Sequence, residues 1–241
     1  MSRGLGDVYK RQETEGFNLF TKSTYKFEFG VDGMAKRVEG VTEKLLESAK
    51  KEFLKSGYEN ASLQVIAEKA GSSKGAIYIR YPDKKSLYCA LVGPTADEFC
   101  NLLEGELHRF KILSSDEQKE KVMTFGNDGF SKVIAYIYDH FDEFKLILTS
   151  GENSTYQEFI HRIIELDISC TMQFIEQTGN DALSSGRLTP ELAHLLSSAF
   201  YAGLFEVVIH DMPQDQAVEH IQRMRRFYNA GWKTIFEENA G

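Results

Sequence analysis

The segment Ser62–Leu87, SLQVIAEKAGSSKGAIYIRYPDKKSL, contains the strongest local folding signals in this chain. Ser62 precedes an amphipathic run and predicts a helix start, because a serine oxygen at that position accepts an otherwise free backbone N–H. Gly71 follows the run and predicts the end of the helix, since glycine adopts the left-handed backbone conformation at little cost. The segment therefore begins with a short helix and a tight turn.

A second short helix follows the turn. It begins at Lys74, with either Ser72 or Ser73 in the capping position. Pro82 disfavours helical geometry in the residue before it, and Asp83 can cap the next helix. Two short helices joined by a glycine-containing turn form a helix-turn-helix, whose second helix can enter the major groove of DNA.

Small and basic residues after the turn favour DNA binding over an ordinary helical corner. Gly75 inside a helix costs about 1 kcal/mol relative to alanine, and Lys84 and Lys85 in a first helical turn oppose the helix dipole. Both choices are unfavourable for the helices themselves. We interpret them as making room for a phosphate backbone and attracting it.

The wider segment GYENASLQVIAEKAGSSKGAIYIRYPDKKSLYCALV resembles the DNA-binding segment of the TetR family of bacterial transcriptional regulators. The resemblance covers about 50 residues, from Val41 to Val92. The matching positions are Gly57-Tyr58, Ile66-Ala67, Ala70-Gly71, Ser73-Lys74-Gly75, Ile77-Tyr78, Lys84 and Leu87. The chain departs from the family pattern at Ser72, Ile79, Arg80 and Tyr81, so the resemblance does not indicate which operator sequence is bound.

The candidate DNA contacts fall into two groups. Phosphate contacts fix the register of a protein on DNA, whereas contacts to base edges select the sequence. We expect phosphate contacts from Ser62, Tyr78 and Lys84, base contacts from Ser73, Lys74, Ala76 and Ile79, either kind from Arg80, and close backbone approach at Gly75.

The charge distribution agrees with DNA binding at one end of the chain. The formal net charge is −8. Residues 36–92 nevertheless contain 11 Lys/Arg against 7 Asp/Glu, whereas residues 93–241 contain 12 against 24. A basic N-terminal part on an acidic body confines the attraction for phosphate to one end.

Composition indicates a soluble cytoplasmic protein. The sequence shows no signal-peptide pattern and no apolar run of the roughly 18 residues that a membrane span needs. Three scattered cysteines, Cys89, Cys100 and Cys170, lack metal-ligand spacing and are expected to be buried free thiols. We expect no membrane association.

The fold class predicted from helical periodicity and from the resemblance is all-α, with about nine helices. Residues 1–33 show no helical pattern and are expected to be a disordered or non-native extension ahead of a start near Met34. Residues 34–83 are expected to form the three-helix DNA-binding domain. Residues 84–241 are expected to form a helical ligand-binding and dimerisation domain, with an interruption at Gly93-Pro94 and one helix from about Asp116 to His140 that is loosened near residues 126–129.

The last two predicted helices favour a homodimer. Small residues on the first of them permit close helix packing, and the second has a broad apolar face with the single tryptophan. Such a pair can form a four-helix bundle with a second copy, although packing within the chain must account for part of the pattern. The resemblance also implies a dimer.

The resemblance further implies a small apolar or amphipathic effector that releases a repressor from its operator. The polar-tipped aromatic and histidine residues that we expect first in such a pocket are Tyr136, His140, Tyr156, His161 and Tyr201. The alternative is a ligand-independent DNA-binding or protein-interaction regulator with a filled body. No catalytic or metal motif is present, so neither an enzyme nor a cofactor is expected.

Overall fold

The computed structural model describes residues 40–124, 127–149 and 154–237, with the side chains of residues 127, 128 and 154 left out of the description. The predictions for residues 1–33, and for a start near Met34, lie outside this range. The described residues form ten helices and no strand, which confirms the all-α prediction. The ten helices are α1 Val41–Asn60, α2 Leu63–Lys69, α3 Lys74–Arg80, α4 Lys84–Lys111, α5 Ser115–Lys121, α6 Asn127–Asp139, α7 Phe141–Thr149, α8 Ser154–Thr178, α9 Pro190–Ile209 and α10 Gln214–Phe236.

Helices α1–α3, residues 41–80, form a small N-terminal unit. Its core contains Leu45, Phe53, Ile66 and Ile77, each with at most 1% of its surface exposed. Gly71 has a φ of 63° and lies in the turn between α2 and α3. Its N–H bonds the carbonyl of Glu68, and the N–H of Ser72 bonds the carbonyl of Ala67, so α2 ends in a Schellman motif.

The predicted helix starts are confirmed by side-chain caps. Ser73 Oγ accepts from the N–H of Ala76 at 3.1 Å, so Ser73 rather than Ser72 caps α3. Asp83 caps α4 and Thr189 caps α9 in the same manner, with Pro190 at the first position of α9.

The predicted interruption of α4 is wrong, and the helix predicted to reach His140 is divided close to where the sequence predicts it to be loosened. Helix α4 is 28 residues long and continues through Gly93-Pro94 without a break. Buried residues on both sides of the proline keep this helix packed in the core. The single helix expected up to His140 is instead two helices, with α5 ending at Lys121 and α6 beginning at Asn127. Gly126 and Gly129 near this boundary weaken helix formation.

The remaining helices, α4–α10, form the helical body. Its centre is filled by one phenylalanine each from α4, α7, α8 and α9, with ring centroids 5.2 to 6.2 Å apart. These residues are Phe99, Phe144, Phe159 and Phe205. A filled centre leaves space for a ligand only elsewhere in the body.

Helix α7 connects the body to the N-terminal unit. Lys50 in α1 forms a salt bridge with Glu143 at 2.9 Å, and the Tyr88 hydroxyl donates to the carbonyl of Leu146 at 2.8 Å. Helix α7 therefore contacts both α1 and the start of α4.

Helix α9 is long and apolar enough to cross a membrane, with a mean hydropathy of 1.6 in an 18-residue window that is 39% buried. It is the single such helix among the described residues, although the sequence suggested no run of this kind. One such helix is weak evidence for a membrane span, because core helices and helices at subunit interfaces have the same composition.

Candidate nucleic-acid interface and interior cleft

One face of α3 is exposed while the other is anchored in the core. Ile77 has no exposed surface, but Ile79 is 73% exposed and Tyr78 is 47% exposed. The other predicted DNA contacts on this helix and its cap, Ser73, Lys74, Gly75, Ala76 and Arg80, are exposed or half-buried. The structure thus gathers small, basic and apolar side chains on one accessible surface, which we call the α3 surface.

Gly75 is not required by the packing of the chain itself. A Cβ built at this position would have Ser73 Oγ as its nearest neighbour, at 3.8 Å, which is ordinary van der Waals contact. Alanine at this position would also favour the helix by roughly 1 kcal/mol. The packing of the described residues therefore does not account for the missing side chain.

The basic side chains of the α3 surface are positioned by neighbours on the same helix. Arg80 Nη1 donates to the carbonyl of Ala76 at 3.0 Å. Lys74 Nζ lies 5.8 Å from the centre of the Tyr78 ring. Both cations remain accessible to an anionic partner.

Lys84 has a structural partner that the sequence did not reveal. Its Nζ donates to the carbonyl of Glu59 at 2.8 Å and lies 4.9 Å from the centre of the Tyr58 ring. This contact satisfies a carbonyl at the end of α1 and offsets the unfavourable position of a lysine in the first turn of α4. Lys84 therefore joins the end of α1 to the start of α4.

An ion pair between the buried Glu52 and the exposed Lys69 links α1 to α2. Glu52 is 6% exposed and accepts from Lys69 Nζ at 2.9 Å and from Ser56 Oγ at 3.2 Å. The ammonium of Lys69 lowers the pKa of Glu52, against the opposing effect of burial. The pair was not predicted from the sequence, although Glu52 follows Leu45 and Ala49 on the same face of α1.

The five residues predicted for an effector site do not form one cluster. The Tyr136 hydroxyl donates to Glu98 Oε2 at 3.0 Å, and its ring lies 4.4 Å from that of His140. Tyr156 is half-buried, His161 is exposed, and Tyr201 is 4% exposed in the interior. Their role as ligand contacts stays a prediction.

The body contains a cleft of about 210 Å³ that none of these five residues lines. It lies between α8, α10, the end of α4 and the residues around the end of α5. The lining residues are Leu107, Phe110, Val122, Met123, Asp167, Cys170, Thr171, Phe174, Asn229, Trp232 and Phe236. Aromatic and aliphatic side chains form most of this wall, and Asp167 is its single acidic group.

Asp167 is the unusual residue of the cleft. Its side chain lines the wall of the cleft and is half-buried there. Its Oδ2 accepts from Ser197 Oγ at 2.6 Å, and burial raises the pKa of this carboxyl despite that hydrogen bond. The nearby Tyr201 hydroxyl has a raised pKa, mainly through burial and secondarily through Asp167.

Thiol and metal chemistry finds no support in the described residues. All three cysteines are buried and unbridged, as expected, and burial raises the pKa of Cys100 and of Cys170 to about 12. Within residues 40–124, 127–149 and 154–237, no group of three or more His, Cys, Asp or Glu is arranged to hold a metal ion.

Comparison with known proteins supports the resemblance found in the N-terminal unit. Residues 45–91 match the family model of bacterial regulatory proteins of the tetR family. The chain is 39% identical over 49 residues to the HTH-type transcriptional repressor AcnR of Corynebacterium diphtheriae. That match covers 20% of this chain and 26% of AcnR, so the chain spans about a quarter of the length of this relative.

Solved structures share the overall fold. The transcriptional regulator FadR from Bacillus subtilis, solved in complex with stearoyl-CoA, aligns with a TM-score of 0.53 and 16% identity, covering 78% of this chain and 98% of FadR. A TetR-like transcriptional regulator from Rhodococcus sp. RHA1 aligns with a TM-score of 0.50 and 20% identity, covering 79% and 96%. Residues 45–91 thus match the tetR family of bacterial regulatory proteins, and the described residues share the all-helical fold of these solved regulators.

Proposed function

We propose that this protein is a sequence-specific transcriptional regulator that inserts α3 into the major groove of its operator. The observation that carries the proposal is the α3 surface, where Ile79 is 73% exposed beside accessible cations. An exposed apolar side chain on such a helix suits contact with a thymine methyl group. Ser73, Lys74, Ala76 and Ile79 would face base edges, and Ser62 and Tyr78 would hold phosphates.

Gly75 supports this placement. Because its packing leaves room for a side chain, its small size is best explained by a partner that approaches the helix closely. A phosphate backbone is such a partner, and the basic residues around it supply the attraction. Arg80 is held along the helix and would contact either a guanine or a phosphate.

A homodimer is the proposed assembly. Helix α9 has an exposed stripe with heptad-like spacing, and two of its leucines are 37% and 64% exposed. On α10, Phe227 is 76% exposed. The residues of the α9 stripe are Leu192, Leu195, Ala199, Ala202 and Ile209. Covering this face with α9 and α10 of a second copy would form a four-helix bundle and explain the apolar character of α9.

The effector site is proposed to be the cleft. FadR from Bacillus subtilis was solved with stearoyl-CoA, and its fold is shared by this chain. Binding in the cleft would move α8 or α10 and alter the separation of two N-terminal units, acting as the release signal of a cytoplasmic repressor. The filled phenylalanine centre supports the alternative, a ligand-independent regulator. Binding of a ligand in the cleft would distinguish an effector-controlled regulator from this alternative.

The test is isolation of genomic fragments bound by the purified protein, followed by fluorescence anisotropy with an enriched fragment and a scrambled fragment. We expect preference for the enriched fragment and an affinity that falls steeply with salt. Ile79→Ala should weaken the preference, whereas Ile112→Ala, at a 68% exposed position outside the α3 surface, should leave it unchanged. Equal and salt-independent binding of both fragments would contradict the proposal.

A further inference from the structure

We propose that the cleft binds a small organic cation, an amine with an aromatic or aliphatic body, and that Asp167 is its counter-ion. The inference deepens the proposed function, on which it rests for the role of the cleft as an effector site. The binding chemistry itself follows from the residues of the cleft.

The carboxyl group of Asp167 lacks a positive partner. Among the described residues, Ser197 provides its single hydrogen bond, and no lysine, arginine or histidine lies within 4.0 Å. Lys111 lies close enough to lower the pKa of the Cys170 thiol, but its Nζ is bonded to Ser169 Oγ at 3.2 Å. A buried acid without a cation is costly to ionise, and a ligand ammonium would remove that cost.

The walls of the cleft suit a cation attached to an apolar body. Trp232 and Phe236 stack with ring centroids 5.3 Å apart and an interplanar angle of 16°. Phe174 meets Phe236 edge-on at 4.9 Å and lies 6.0 Å from Phe110. Ring faces attract ammonium groups, most strongly when the site is shielded from water.

The charge of the body selects against anions. Residues 93–241 contain twice as many acidic as basic residues, and Asp167 is the single acidic side chain that lines the cleft. A carboxylate or phosphate placed beside Asp167 would meet a like charge. The head group of a fatty acid is therefore a poor ligand for this position, whereas an ammonium is a good one.

The size of the cleft limits the body of the ligand. At about 210 Å³ it is smaller than the roughly 300–1,000 Å³ of sites that take drug-sized molecules. An amine with a single aromatic ring fits this size better than a long acyl chain does. We therefore choose phenethylamine as the probe, with phenethyl alcohol and phenylacetate as neutral and anionic counterparts of similar shape.

The single tryptophan of the chain, Trp232, lines the cleft and reports binding by its fluorescence. The full chain is titrated with each of the three probes near neutral pH. Phenethylamine should bind with a Kd at least about tenfold lower than phenethyl alcohol, as expected for a charge-assisted hydrogen bond. Phenylacetate should bind most weakly. Equal binding of amine and alcohol, tighter binding of phenylacetate, or no response to any probe would overturn the proposal.

Variants separate the charge of Asp167 from general effects on the fold. Asp167→Asn keeps the shape and should abolish the preference for the amine, whereas Asp167→Glu should retain it. Glu165→Gln makes the same charge change at an exposed position on α8 and should behave as the wild type. Thermal unfolding shows whether each variant is folded, and retention of the amine preference by folded Asp167→Asn would refute the role of this residue. DNA binding is measured on the same samples, so failure of the proposed regulator function is seen separately.

Discussion

Two carboxyl groups, the buried Glu52 and the half-buried Asp167, show how the N-terminal unit and the body differ. Glu52 in α1 meets a lysine and a serine, and its pKa is lowered. Asp167 in α8 meets one serine at the edge of a cleft, and its pKa is raised. Glu52 has a cationic partner within its own chain. Asp167 lacks a cation, which is the property of a site that a ligand completes.

The largest effect is expected from breaking the ion pair between Glu52 and Lys69. Glu52→Gln should destabilise the protein by about 1–3 kcal/mol, because the hydrogen bonds that Lys69 and Ser56 donate to the buried Glu52 carboxylate would lose their charged acceptor. Since the pKa of Glu52 is lowered by folding, its contribution is present at neutral pH and is lost as the pH falls through the folded-state pKa. Urea unfolding at neutral and acidic pH measures both effects. Glu47→Gln, which alters an exposed pair on the same helix, is the control.

Gly75→Ala should separate stability from DNA binding. The added methyl group meets only Ser73 Oγ at 3.8 Å, so the stability should be unchanged or increased by up to about 1 kcal/mol. DNA affinity should nevertheless fall by about tenfold or more, equivalent to roughly 1.4 kcal/mol, if a phosphate backbone approaches this residue. Unfolding and anisotropy measurements on the same variant test this, and unchanged affinity would remove Gly75 from the interface.

Lys84→Ala should have a smaller effect of two kinds. Loss of the bond to the Glu59 carbonyl and of the contact with Tyr58 should reduce stability by roughly 0.5–1 kcal/mol. If Lys84 also holds a phosphate, all DNA sequences should bind more weakly and the slope of log affinity against log salt should decrease by about one. Lys85→Ala at the adjacent exposed position is the matched control for the stability measurement. An unaltered salt slope would leave Lys84 with a structural role alone.

The smallest expected effect concerns Asp167. Its contribution changes the stability with pH in the opposite direction to that of Glu52. Because burial raises the pKa of Asp167, the folded protein holds this proton more tightly than the unfolded chain does. Stability should therefore decline as the pH rises from the ordinary aspartate pKa through the folded-state pKa. Asp167→Asn should gain stability relative to the wild type over this interval. Urea unfolding across the interval measures the difference, and a parallel pH dependence of the two proteins would contradict it.

The N-terminal unit could be predicted because its signals are local. Ser73 caps a helix three residues away, and Gly71 ends a helix within the same turn. The exposed and buried faces of α3 follow from helical periodicity once Ile77 is assigned to the core. None of these features depends on the distant parts of the chain.

The ion pair between Glu52 and Lys69 and the cleft could not be predicted from local sequence signals. Glu52 and Lys69 are 17 residues apart, and the cleft combines residues from Leu107 to Phe236. The sequence nevertheless has one feature common to Glu52 and Asp167, since each of them lies on an apolar face of its helix. On α8 that stripe is Ile163, Asp167, Cys170 and Phe174. An acid at such a position indicates a buried partner or a site, and only the tertiary structure shows which one is present.

The most direct test of the account is selection of binding sites from random DNA with the wild type and with Ile79→Asn. We predict that the wild type selects two half-sites separated by about one helical turn or a multiple of it. The variant should select the same spacing with different bases at matching positions of both half-sites. Identical sequence preferences for the two proteins would contradict the claim that the exposed face of α3 selects the DNA sequence.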